Sequence, residues 1–249
     1  MSRRYLLPLI LIFLTLLAVA AHAQTAPGSL GSLLPSPEHP KDLAASLKLL
    51  VGLSVLSLAP ALLMMLTSFT RIIIILSFLR SALGTQQTPP NAILVGLALF
   101  LTFFIMYPVW QKMDAQAVKP YLAGTLRYDQ AAVRAAVPLR TFLLRQTREK
   151  DLGLFLTLSK SPRPRTPDEI SFRVLVPAFV ISELRTAFQI GFVLFIPFVV
   201  LDLIVSSVLM SLGMMMLPPV MVSLPLKVML FVMVDGWHLI SRSIVLSFN

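Results

Sequence analysis

Four ionisable residues, Glu183, Asp202, Lys227 and Asp235, stand where the chain is otherwise apolar. A charge inside a membrane-length helix is costly and usually faces a partner or a water path. Two chemistries suit that placing. Asp202 could relay protons in an ion-driven machine, or carboxylate and ammonium groups could pair between helices or subunits. Both signs occur in adjoining segments and can satisfy one another at lower desolvation cost, so we favour pairing. Between the two apolar arms lie Gly213, Met214, Met215, Met216, Pro218 and Pro219. Taken alone, three methionines are core filler. Successive helical residues turn by about 100°, so three in a row cannot share one face. They suit a bend, where unbranched, polarizable chains fill a gap of variable width. Repeated around a ring of copies, such a bend makes a soft constriction in a pore, and apolar constrictions gate by dewetting.

Other chemistries lack their residues. The chain contains no H-E-x-x-H pair, no G-x-S-x-G elbow and no G-x-x-x-x-G-K-[ST] phosphate loop. Its three histidines, His22, His39 and His238, cannot build a His-rich metal site. The absence of cysteine excludes disulfides and thiolate ligands. No catalytic residue, cofactor or metal is assigned. Of 249 residues 57% are hydrophobic and 13% charged, against roughly 45–50% and about 25% in soluble domains. This is the composition of an integral membrane protein. The net charge of +10 lies mostly in one inter-span segment, which favours lipid headgroups or a protein partner over nucleic acid.

The elements that must position these residues follow in order. Residues 1–23 have the three parts of a secretory signal: Arg3 and Arg4, an apolar run over 6–20, and Ala21-His22-Ala23 as the cleavage site before Gln24. The competing reading is an anchor that stays attached. Ser2 to Leu6 also brushes against a twin-arginine signal, although the Leu-rich run favours the general secretion route. Residues 24–46 form a flexible tail rich in Pro, Gly and Ser. Residues 47–110 form a first hydrophobic helical pair. Pro60 interrupts its first arm, and a proline inside a membrane helix hints at packing within an assembly. The block 72–79 is too short to span, and Arg71 and Arg80 beside it read as a basic cytoplasmic connection. Asn91 is the expected N-cap of the next span, residues 92–110. Tyr107 and Trp110 are its interfacial anchors, and Pro108 marks where it kinks or stops.

Residues 111–173 are a polar, basic, largely helical insert with 12 of the 21 Lys and Arg and 6 of the 11 Asp and Glu. With a cleaved signal this insert lies outside the cytoplasm, against the positive-inside tendency. That tendency governs loops shorter than about 60 residues, and longer domains translocate regardless of charge. Residues 131–151 read as one amphipathic helix and residues 160–165 as an extended basic linker. Thr166-Pro167-Asp168-Glu169 reads as a capping box that opens a helix, bent at Pro177. Residues 174–249 complete a second hydrophobic hairpin with its Met-rich bend and a C-terminal helix. The fold class is therefore an all-α membrane protein. It has about four hydrophobic helices, with the polar insert between the second and third.

Several of these blocks resemble the FliP/SctR family of type III export-gate proteins. They are Thr67-Ser68-Phe69-Thr70-Arg71-Ile72-Ile73 leading to Gly84-Thr85-Gln86-Gln87-Thr88-Pro89-Pro90-Asn91, Pro177-Ala178-Phe179, Ser182 to Gly191, the bend from Gly213 to Pro219, and Val234-Asp235-Gly236-Trp237. They cover about residues 45–249 apart from the insert. The apparent cleavable signal favours the flagellar member over the virulence-type homologue. The resemblance implies a pentameric set assembled with FliQ and FliR in the bacterial inner membrane, at the flagellar basal body. Through its pore unfolded flagellar proteins leave the cytoplasm, driven by the proton gradient and an ATPase elsewhere in the apparatus. It also implies that Met214, Met215 and Met216 form a gasket around cargo, and that Glu183 and Lys227 pair to steady the subunits. Helices of this family look like stacked hairpins partly raised above the membrane, so apolar runs need not cross the bilayer.

The rival reading is a small proton-coupled transporter or ion-conducting subunit using Asp202. A transporter moves a solute when reconstituted alone, whereas a gate is inert until assembled with its partners. A membrane enzyme has no motif to support it.

Overall fold

The computed structural model describes residues 40–85, 87–159, 164, 166–214 and 216–248. Residues 1–39, which hold the expected signal and the Ala23/Gln24 cleavage site, lie outside that range, as do Met215 and all of residues 160–165 except Pro164. The described residues are all-helical, without a strand. The chain divides into two compact units at residues 63 and 64. The first unit is described as a single helix, α1 (Pro40–Met65), which passes through Pro60 and crosses the division by two residues. Its window Leu47–Met65 is apolar enough to span a membrane.

In the second unit α2 (Phe69–Ala82) follows, then α3 (Asn91–Leu122), which contains a π-helical turn over Asp114–Val118. Next come α4 (Tyr128–Gln146), α5 (Glu149–Leu158), α6 (Phe172–Ser211), α7 (Pro219–Met233) and α8 (Gly236–Leu246). α2 is the centre of this unit. Ile72, Ile75, Leu76 and Leu79 recur at helical spacing and are all buried, the single apolar stripe that a core-facing helix needs. The stripe packs with Ala98 of α3, Ala187 and Phe198 of α6, Phe231 of α7 and Ile244 of α8. The contact with α6 is close because residue 191 is glycine. A Cβ there would come within 2.6 Å of the Phe78 ring, and Phe78 also meets Phe188 edge-on at 5.2 Å. A second cluster, Leu143, Ile170, Val174, Leu175 and Phe179, ties the insert to the start of α6.

Several local expectations are corrected. α3 does not stop near Pro108 but continues to Leu122, since a proline removes one backbone bond without ending a membrane helix. Residues 131–151 are not one helix. The chain is extended at Thr147 and Arg148, where the Arg148 amide donates to Ser182 Oγ at 3.1 Å instead of continuing the helix. Thr166 precedes only the 3-10 turn Pro167–Glu169, and its side chain makes no capping hydrogen bond there. The long helix starts at Phe172, where Ser171 Oγ accepts from the Arg173 amide at 3.3 Å. Asn91 is the first residue of its helix rather than the cap, and its side-chain oxygen accepts from Arg80.

Among the described residues, three helices are long and apolar enough to cross a membrane: α1, α3 and α6. α7 and α8 pass the same test jointly, bent by 66° at their junction. That junction is built from three neighbours. Asp235 takes a left-handed conformation at φ 51°, one that Asp tolerates better than most residues. Gly236 leaves room for Phe231, whose ring lies 2.2 Å from where a Cβ would be. Trp237 meets Phe231 edge-on at 5.4 Å.

Candidate functional site

The sequence sets out a bend between α6 and α7, and the backbone builds it from a specific helix ending. Gly213 is left-handed at φ 73°. Its amide donates to Met210 O at 3.1 Å, and the Met214 amide donates to Leu209 O at 3.0 Å. These are the paired bonds of a Schellman ending, which satisfies the last carbonyls of α6 and reverses the chain at glycine. Pro218, extended at ψ 118°, and Pro219, the first residue of α7, start the return. Proline is suited there because its missing amide would be unpaired in any case. Met214 is 43% exposed and Met216 99% exposed. Within this chain these side chains point outward and are not core filler. Ser206, Leu209, Met210, Met214, Leu217 and Pro219 line a shallow, mainly apolar hollow beside them.

Further along the arms, Lys227 Nζ donates to Asp202 Oδ2 at 2.6 Å. Lys227 is buried, Asp202 partly so, and the other carboxylate oxygen of Asp202 is buried without a partner among the described residues. The pair joins α6 to α7, and Gly84 of the loop after α2 lies against the ammonium. Removing one member of such a pair leaves the other charge buried and uncompensated. Asp235 is exposed at the α7–α8 junction and makes no ion pair among the described residues.

Glu183 sits elsewhere, fully buried in α6, and its partner is one that residue patterning misses. Arg71 of α2 donates Nε to Glu183 Oε2 at 2.8 Å and Nη2 to Oε1, the planar two-bond match that guanidinium and carboxylate make. Arg71 is itself only 2% exposed, so it is not the solvated flank of a basic loop. Its remaining donors are also used. Nη2 reaches Gln146 Oε1 at 3.0 Å and Nη1 reaches the Ser247 carbonyl at 2.8 Å. The guanidinium lies 3.8 Å over the Phe248 ring, and Gln146 Nε2 donates to the Phe248 carbonyl at 3.0 Å. One side chain therefore joins α2, α4, α6 and the C-terminal turn. Beside it Ser182 Oγ donates to Asp151 Oδ2 at 2.6 Å and accepts the Arg148 amide, fastening the α4–α5 break to α6.

Within the chain, then, Glu183 is held by Arg71 and Lys227 by Asp202. Arg71, Gln146, Ser182 and Asp151 are the participants that the sequence alone does not single out. The one available signal was an arginine immediately before four isoleucines. Among the described residues no group of His, Asp and Glu is arranged to hold a metal ion.

Comparison with known proteins matches residues 52–244 to the FliP family. The chain is similar to the flagellar biosynthetic protein FliP of Bacillus subtilis, 51% identical over 213 residues, covering 86% of this chain and 96% of that protein. It is 53% identical over 214 residues to the protein of that name from Pectobacterium carotovorum, covering 86% and 83%. To that of Aquifex aeolicus it is 46% identical over 210 residues, covering 84% and 88%.

Proposed function

The chain belongs to the FliP family, and on that premise we propose that it is a core subunit of the flagellar protein export gate, with no catalysis of its own. It is a flagellar biosynthesis component with helices able to span a membrane. In the fuller reading several copies, with FliQ and FliR, surround an inner-membrane pore at the flagellar basal body. Unfolded flagellar proteins pass through it. The signal is removed after Ala23 and the basic insert faces the periplasm.

The observation that carries this reading is the elbow after α6. A glycine ending turns the helix back and leaves Met214 partly and Met216 almost fully exposed at the elbow. Flexible thioethers at a protruding bend can close on a gap and yield to a polypeptide of varying side-chain size. Asp202 then serves as half of the ion pair that keeps the two arms of the elbow in register. Replacing Met214, Met215 and Met216 together with alanine is expected to permit assembly but raise leakage of ions and small solutes through the complex. Unchanged leakage in a fully assembled complex counts against the gasket.

A further inference from the structure

α8 carries two different faces. Ile240 and Ile244 are buried in the core. His238, Ser241, Arg242, Val245 and Leu246 recur at the same helical spacing on another face and, with Leu101 and Phe104 of α3, line an open groove. Its floor is apolar, with Phe104 67% and Leu246 55% exposed. Its polar edge is cationic. Arg242 is exposed and has no hydrogen bond, ion pair or ring contact among the described residues, and His238, one turn earlier, has none either. Asp235, the acidic residue nearest in sequence, bridges neither. An always-charged guanidinium left unpaired beside an apolar trough is complementary to an amphiphile with an anionic head. The level fits as well. Tyr107 and Trp110 follow Phe104 by one and two turns of α3, and such rings settle at the headgroup region.

From this juxtaposition we infer that the α3–α8 groove is a binding site for an anionic phospholipid. The phosphate is held by Arg242, with His238 and Ser241 as further donors. An acyl chain lies along Leu101, Phe104, Val245 and Leu246. The site is separate from the methionine elbow and does not depend on the gasket reading.

The test uses the full chain in its membrane assembly, reconstituted in nanodiscs of phosphatidylglycerol and phosphatidylethanolamine. Lipids retained after mild detergent extraction are counted by mass spectrometry. Phosphatidylglycerol is expected to be enriched over its bulk share. Arg242→Gln should cut that enrichment by about fivefold, the effect of one cation near the surface. Brominated phosphatidylglycerol should quench a Phe104→Trp probe, placed in a Trp110→Phe and Trp237→Phe background, more than brominated phosphatidylethanolamine does, a readout that leaves Arg242 intact. Soluble glycerol phosphate at the same concentration should not compete, because it lacks the acyl chain. Equal enrichment in Arg242→Gln, equal quenching by both lipids, or full competition by glycerol phosphate would each overturn the assignment. So would efficient cross-linking of Leu246→Cys to another protein chain, since a neighbouring subunit would then occupy the groove.

Discussion

At the scale of single residues, Arg71 concentrates more interactions than any other side chain described. Its guanidinium joins Glu183, Gln146 and Ser247 while stacking on Phe248. Arg71→Ala would leave Glu183 as a buried, unpaired carboxylate, an expected loss of about 3–5 kcal/mol. Arg71→Lys should fall between, because an ammonium keeps the charge but not the planar two-bond match or the stacking. The double change Arg71→Met with Glu183→Gln should recover much of the loss, since no buried charge then remains. Unfolding midpoints of the detergent-solubilised protein measure all three. An Arg71→Ala midpoint equal to the parent would show that the node does not hold the fold. The sequence made Glu183 conspicuous, since a carboxylate in an apolar run needs an explanation. It could not supply the partner, which lies 112 residues away. Arg71 itself looked like the basic flank of a short loop, because a charge at the edge of an apolar block has the same pattern whether water or a carboxylate receives it.

At the scale of elements, apolar runs were enough to read an all-helical fold with several membrane-length helices, and the chain turns back after a left-handed Gly213. Breaks decided by tertiary contacts were not legible. Arg148 leaves the helix for Ser182, and nothing in the local sequence between residues 131 and 151 announces that exchange. The α6–α7 hairpin offers the sharpest element-level test. Lys227→Glu would face Asp202 with a second carboxylate, so hairpin stability and assembly should both fall, by an expected 3 kcal/mol or more on the order of other broken buried pairs. Two compensating changes then separate two arrangements. Restoration of assembly by Asp202→Lys would keep the working pair inside the chain, between α6 and α7. Restoration by Glu183→Lys would support the proposed pairing of Glu183 with Lys227 between neighbouring copies, which has to displace Arg71 and Asp202 from their present partners. Recovery is read as the amount of intact complex isolated from membranes.

At the scale of the whole molecule, the length of α6 conflicts with a simple transmembrane reading. Its 40 residues run unbroken through Pro177 and Pro197, about 60 Å at 1.5 Å per residue. A hydrocarbon core is only about 30 Å thick. Tilting could absorb part of the excess, but typical tilts of about 20° shorten the projection very little. Either the helix leaves the bilayer or the assembly around it replaces lipid. Its most apolar window is just 17% buried inside the chain, and that of α3 is 22% buried. Both surfaces therefore need a cover, and lipid can reach only the part of α6 within the bilayer. In the proposed gate, stacked partly above the membrane, other subunits would cover the rest. The native chain has no cysteine, so single cysteines along residues 172–211 can be labelled one at a time with a membrane-impermeant thiol reagent. In the isolated chain, protection is expected over about 20 consecutive positions, one bilayer's worth, with labelling beyond them. In the assembled complex, exposed positions such as Phe192, Val193, Leu203 and Ile204 that label in isolation should become protected. Protection of all 40 positions in the isolated chain would place the entire helix in lipid and remove the reason for a raised assembly.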